Sequence, residues 1–217
     1  MLGGTIAALV ADIHRAKIVC TAALIDTQFE SRKKEYSTSL NILKEYGYQN
    51  PFIFEAIKSQ GPTFLENYSD KVIYTGVNDA RLRNKGVNEA RSLAAGFKKC
   101  NFNDNDIILK LTGRYYFLSD ALLNIIDNNE HIDAFVKVDR YGQVFTGCYA
   151  MRYKLFKDML GQLDYTRMEQ KMINIEFEVA RYLKRVIKRK GVKVMYIETL
   201  GLMAPIFGEG AVQLVEM

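Results

Sequence analysis

Cysteine and histidine are scarce: three cysteines (Cys20, Cys100, Cys148) and two histidines (His14, His131) occur in 217 residues. The cysteines are far apart, odd in number and include no CxxC pair. That pattern argues against a disulfide framework or a zinc site and reads as reduced thiols in a cytosol-like compartment. Two histidines likewise leave little for a histidine-based metal cluster. Long apolar runs are missing too. The small and apolar residues 1–11 are cut off by Asp12, His14 and Arg15, well short of a membrane span. The same stretch has no basic n-region, which argues against a secretory signal. No internal repeat or low-complexity linker breaks the chain.

What remains is the composition of a soluble globular protein, with 48% hydrophobic and 25% charged residues. The length suits one domain over 17–217, able to bury a full core, with 1–16 as a leader or short helix. A net charge of +5 fits an anionic ligand such as a nucleotide, although a mildly basic enzyme surface is the commoner cause.

Strand-like and helix-like runs alternate, which predicts an α/β domain. KIVCTAALI at 17–25 reads as a central strand buried on both faces. Tyr36, Leu40 and Leu43 carry helical spacing over 29–46, with Gly47 placed as a C-cap. Further strands are predicted at 52–57 behind Pro51, 72–75, 107–111 and 192–197. Residues 135–138 and 144–151 read as a β pair around Tyr141-Gly142. Helices are predicted at 88–97, 121–126 and 166–190, the last long and basic.

In an open α/β sheet, ligands bind beyond the carboxyl ends of the strands. That rule selects Asp26-Thr27, Glu55, Asn78-Asp79 and Thr112-Gly113-Arg114. Two stretches there suit a phosphorylated ligand, NKGVNEAR at 84–91 and ILKLTGRYY at 108–116. Lys85 and Arg91 could offer charge to a diphosphate, and Gly86 could let backbone approach it. The competing reading makes Asn84 an N-cap and Arg91 a solvated helix residue. Lys110 and Arg114 flank Thr112-Gly113 and need a counter-charge, supplied either by a phosphate or by a structural salt bridge. Of the carboxylates near turns, Asp104 and Asp106 fall at the wrong end of the sheet. Asp79 and Asp139 remain as possible ligands of a hard divalent cation.

The order Asn84-Lys85-Gly86, Arg91 and a strand at 107–111 resembles the layout of nucleotide-sugar glycosyltransferases of the GT-A fold. Residues 145–152 (FTGCYAMR) with Leu155-Phe156 resemble the acceptor-side strand and helix of that fold, and Ile175-Glu176-Phe177-Glu178 its acidic catalytic-region helix. NKGVNEA, ILKLTGRYYF and FTGCYAMR together look like the small glycosyltransferases of chlorella viruses and some bacteria. The resemblance spans roughly residues 17–200.

It implies a GT-A-like single domain with a central mixed, mostly parallel sheet flanked by helices. It also implies transfer of a sugar from a UDP-sugar such as UDP-glucose to a glycan or glycoprotein acceptor, with viral capsid glycans one such target. The implied setting is the cytoplasm, the host's for a viral enzyme. Mn2+ or Mg2+ would assist, with Asp79 the first choice of ligand. GT-A enzymes usually carry Asp-x-Asp after the fourth strand, where this chain has Thr112-Gly113-Arg114. Either the metal is held elsewhere, or Arg114 and Lys110 replace part of its charge. Under this reading Thr27, Arg32 and Glu55 would contact the nucleoside, Lys85 and Arg114 the diphosphate, and Glu176 or Asp139 would act as base.

Two other functions compete. A nucleotidyltransferase usually has a glycine-rich basic loop after its first strand, where this chain has Ile25-Asp26-Thr27-Gln28. A nucleic-acid binder would use the cluster Arg181, Lys184, Arg185, Lys188, Arg189 and Lys190, which is short enough to be a solvated face. The expected partners are therefore a sugar donor and an acceptor, with no nucleic acid. The same basic helix suits weak contact with an anionic membrane surface.

Overall fold

The computed structural model describes residues 16–205 and 212–213, so the leader expected at 1–16 lies outside it apart from Ala16. A seven-stranded sheet runs through the middle. Its strands are β1 (Lys17–Ala22), β2 (Phe52–Glu55), β3 (Val72–Tyr74), β4 (Ile107–Thr112), β6 (Ala134–Val136), β7 (Cys148–Arg152) and β8 (Val194–Tyr196). Their order is β3-β2-β1-β4-β7-β6-β8. All pairings are parallel except those of β7, which runs against both β4 and β6. A smaller sheet joins β5 (Tyr116–Phe117), β9 (Leu202–Pro205) and β10 (Val212–Gln213). The mixed, mostly parallel α/β sheet expected from sequence is the architecture found.

Period-two alternation sends each strand's side chains into two separate cores. Ile18, Cys20, Leu109, Leu111, Cys148 and Ala150 face α1 (Phe29–Glu45) and α3 (Ala121–Asp127). Val19, Phe54, Ile108, Tyr149 and Met151 face α2 (Lys85–Phe97), α4 (Tyr153–Gly161) and α6 (Ile175–Lys190). Three layers result. Lys110 lies on the second face, directly across from Tyr149 of β7.

The helix expected at 166–190 is two helices, α5 (Tyr165–Gln170) and α6. Met172 takes a left-handed φ of 50° between them, and Asn174 then caps α6 by accepting from the Phe177 amide at 3.0 Å. Gly191, also left-handed at φ 63°, closes α6. Glu176 and Glu178 in its first turn and Lys188, Arg189 and Lys190 in its last complement the helix dipole. A parallel strand must return through a helix running the other way, so α2 and α6 both begin at the carboxyl edge of the sheet. Among the described residues no helix is long and apolar enough to cross a membrane.

Candidate functional site

The carboxyl edge collects the segment after β1, the end of β2, the tip of β4, the entry to β7 and the starts of α2 and α6. Glu55 ties the first two together. Its fully buried carboxylate accepts from the amides of Leu24 at 2.8 Å, Ile57 at 3.0 Å and Lys58. Burial pushes this carboxyl above its ordinary range while the backbone donors pull it down. Glu55, expected to contact a nucleoside, instead holds the segments that follow β1 and β2. Thr27 is exposed in the short turn Asp26–Gln28, and Arg32 donates to the Gln28 side chain at 3.0 Å.

At the tip of β4 the side chain of Lys110 has no solvent exposure. Its ammonium donates to Thr112 Oγ1 at 2.9 Å and to the Thr146 carbonyl at 2.7 Å, and it pairs with Glu89 of α2. Two hydrogen bonds and one ion pair thereby hold the ammonium. Glu89 thus gives Lys110 a structural counter-charge. Thr146, on the entry to β7, donates its hydroxyl to Glu176 Oε1 at 2.7 Å. A continuous polar chain thus runs Glu89–Lys110–Thr146–Glu176, from α2 across β4 to α6. Tyr149 packs behind it, and burial together with Glu89 and Glu176 drives its phenol well above the ordinary value. Cys20 and Cys148 are both buried, which pushes their thiols up to about 12 against the pull of Lys110. Both therefore stay protonated.

Gly113 and Arg114 face α1 in part. The Gly113 amide donates to the Thr21 carbonyl at 2.9 Å, and an added Cβ would lie 3.0 Å from that oxygen and from the Tyr36 ring. Tyr36 accepts from the Ala23 amide at 2.8 Å, and Ser39 donates to the Tyr115 carbonyl at 2.6 Å. Arg114 NH1 sits 3.9 Å from Glu35 Oε2. Burial and packing of α1 therefore set the position of the Thr112-Gly113-Arg114 tip.

Asn84 is the N-cap foreseen as the simpler reading. It accepts from the Gly86 amide at 3.0 Å and donates to the carbonyls of Met168 and Ile173 at 2.9 and 2.7 Å. Gly86 does allow a close approach, but the group that approaches is Ile175 at the start of α6, 3.1 Å from where a Cβ would stand. Lys85 is exposed, one helical turn from Glu89 on the same face of α2. Arg91 is half-buried; it adds to the lowering of the Asp79 carboxyl that Arg81 dominates, and at Tyr165 it only opposes the burial that pushes the phenol up.

The Arg81 guanidinium grips both oxygens of Asp79, at 2.9 and 2.8 Å, and holds its carboxyl down at about 2. Among the described residues no group of three or more His, Cys, Asp or Glu is placed to hold a metal ion. A lone carboxylate neutralised by its own arginine is a poor fit to a hard dication, which takes several oxygen ligands. Asp139 is likewise engaged, accepting from the amides of Tyr141 and Gln143 at 2.8 and 2.9 Å within its turn. Of the two carboxylates named as bases, Glu176 is the one joined to the β4 tip.

Sequence reasoning missed Glu89, Thr146 and Tyr149. Glu89 sits four residues from Lys85, and Tyr149 alternates with Cys148 and Ala150 along β7. Neither spacing reveals a partner that lies on a different element. Two concavities of about 420 and 490 Å3 lie at the opposite, amino edge of the sheet, around Lys17, Asn50 and Lys71 and around Asp106, Asp127 and Arg152. None of the residues of the polar chain lines them.

No protein-family model matches this chain, and no curated protein does. Solved structures similar in backbone course include the following two. One is a CTP:phosphocholine cytidylyltransferase (LicC) from Streptococcus pneumoniae, with 13% identity, coverage of 87% of this chain and 92% of that one, and a TM-score of 0.44. The other is a glycosyltransferase involved in the glycosylation of the major capsid of PBCV-1, with 11% identity, coverage of 85% and 84%, and a TM-score of 0.40.

Proposed function

We propose that this chain transfers a sugar from a UDP-sugar, such as UDP-glucose, to a glycan or glycoprotein acceptor. The observation that carries the reading is Glu176, a partly exposed carboxylate fixed by the Thr146 hydroxyl at the carboxyl edge of the sheet. In an inverting transfer Glu176 takes the proton of an acceptor hydroxyl. The freed oxygen pair then bonds to the anomeric carbon, and the bond from that carbon to the diphosphate breaks with its electrons leaving on UDP. Lys85 and Arg114 are the cations on hand to oppose the growing negative charge. The segment after β1 forms a short helical turn rather than a glycine-rich loop, which favours sugar transfer over nucleotidyl transfer.

The deciding experiment is a thermal-shift screen against UDP, GDP, CDP and dTDP, each with and without manganese, followed by an assay for UDP release from UDP-sugars. A ligand that binds only the folded state must raise the melting temperature by mass action. Stabilisation by UDP and release of UDP support the reading. Stabilisation by none of the four removes it, and pyrophosphate release from a nucleoside triphosphate replaces it with nucleotidyl transfer.

A further inference from the structure

The outward face of α6 is unlike an ordinary solvated helix face. Phe177, Arg181, Lys184 and Lys188 recur at intervals of four, three and four, so they form one stripe along the helix. Phe177 leaves 48% of its surface exposed. At the same end of the helix stand Met172, 50% exposed, and Tyr141, 71% exposed, the latter with the Arg140 guanidinium 4.9 Å over its ring. The Tyr141-Gly142 turn reaches the stripe itself, since an added Cβ at Gly142 would lie 3.6 Å from the Lys184 ammonium.

Acidic groups on the helix are turned away from this face. Glu178 is buried and paired with Arg181, and Glu176 is held by Thr146. Nearby, Asp139 is exposed, with one carboxylate oxygen accepting from the amides of Tyr141 and Gln143, and Asp158 pairs with Lys190 past the end of the stripe. The result is a row of basic residues, with Lys184 and Lys188 exposed and Arg181 paired to Glu178, led by three exposed apolar or aromatic side chains.

From this geometry we propose that the face formed by α6 and the Tyr141 turn docks on an anionic lipid bilayer. Charge complementarity selects a negative surface, and each Lys or Arg held near such a surface adds about fivefold to binding. The aromatic and apolar residues select a bilayer over a nucleic acid. Rings and a thioether grouped at one end can enter the headgroup boundary, whereas sequence-independent binders of single strands track the backbone in a groove. Phe177 directly follows Glu176, so docking brings the mouth of the site to the membrane, where an acceptor carried by lipid or by a membrane glycoprotein would be met. The surface does not depend on the transfer reaction being the correct one.

The chain contains no tryptophan, so Phe177→Trp installs a single reporter without background. Its emission should shift to the blue on adding phosphatidylcholine vesicles that contain phosphatidylserine, and not with pure phosphatidylcholine. Flotation of the wild-type chain should follow the same preference and fade with salt. Lys184→Ala with Lys188→Ala should weaken it by roughly twenty-five-fold, two factors of about five, with thermal melts confirming that the variant folds. Equal binding to neutral vesicles, no spectral shift, or flotation unchanged by the double substitution overturns the proposal. So does binding to a single-stranded oligonucleotide without binding to the anionic vesicles.

Discussion

Lys110 of β4 and Glu89 of α2 form an ion pair in which the lysine side chain is wholly withdrawn from water. Breaking such a pair strands a charge in the interior. Glu89→Leu, which leaves the wholly withdrawn Lys110 ammonium without its counter-charge, is expected to cost about 3–5 kcal/mol, whereas replacing both partners with apolar groups costs far less. Urea unfolding of Glu89→Leu and of the double variant Lys110→Met with Glu89→Leu should show this ordering. Equal losses would mean that the pair contributes nothing as a pair.

Glu176 and Thr146 separate chemistry from binding. Under the proposed transfer, Glu176→Gln removes the base and should lower turnover by about 10²–10⁴-fold. Thr146→Val should lower it less, and Thr146→Ser, which keeps the hydroxyl, should restore it. Thermal stabilisation by UDP should persist in all three. Turnover by Glu176→Gln at the wild-type rate would take the base role away from this residue.

Glu55 acts as a clamp on two segments, and a carboxamide cannot copy it. Glu55→Gln turns an N–H donor toward backbone N–H groups, leaving a buried donor unsatisfied at a cost of about 1–3 kcal/mol. Amide exchange should quicken at Leu24, Ile57 and Lys58 before it quickens in the strands. Unchanged protection there would refute the clamp.

Gly96 of α2 is where the helix meets β2, since a Cβ there would collide with the Phe54 ring. In a helix, alanine is ordinarily worth about 1 kcal/mol over glycine. Overpacking costs about 1–3 kcal/mol, so Gly96→Ala should lower the melting temperature rather than raise it. A rise would show that Phe54 has room to move.

Asp79 gives a pH-dependent test. Its folded carboxyl is held at about 2, below the ordinary 3.8, chiefly by Arg81. A depressed carboxyl stabilises the fold above its unfolded value, and that stability is lost as pH falls from 3.8 toward 2. Asp79→Asn should therefore flatten this part of the acid-unfolding curve. It should leave any manganese-dependent thermal shift unchanged, and loss of that shift would make Asp79 a metal ligand after all.

Periodicity made the strands and most helices legible, because each buries a face whose spacing is written locally. The cap at Asn84 and the closing role of Gly47 could be read for the same reason. The long basic helix was misjudged because the break at Met172 depends on Asn174 capping a new start. Within the site, the strand-end rule located Glu55, Lys110, Thr112 and Arg114. It could not tell that Glu55 binds backbone or that Lys110 spends its charge on Glu89. Glu55 reaches the Leu24 amide across 31 residues and Lys110 the Thr146 carbonyl across 36, on elements that only folding brings together.

The reversed strand β7 has a consequence for how this edge can change. With every neighbour parallel, an edge grows only from segments that leave strands. Here Phe145-Thr146-Gly147 arrives at the same edge that Thr112-Gly113-Arg114 departs from, joined by the Thr112 amide to the Gly147 carbonyl at 2.7 Å. One rim is thus written twice, in stretches of sequence that can be lengthened or replaced independently. Residues inserted between 138 and 144 would remodel the rim near Glu176 and leave the register of β4 on β1 untouched.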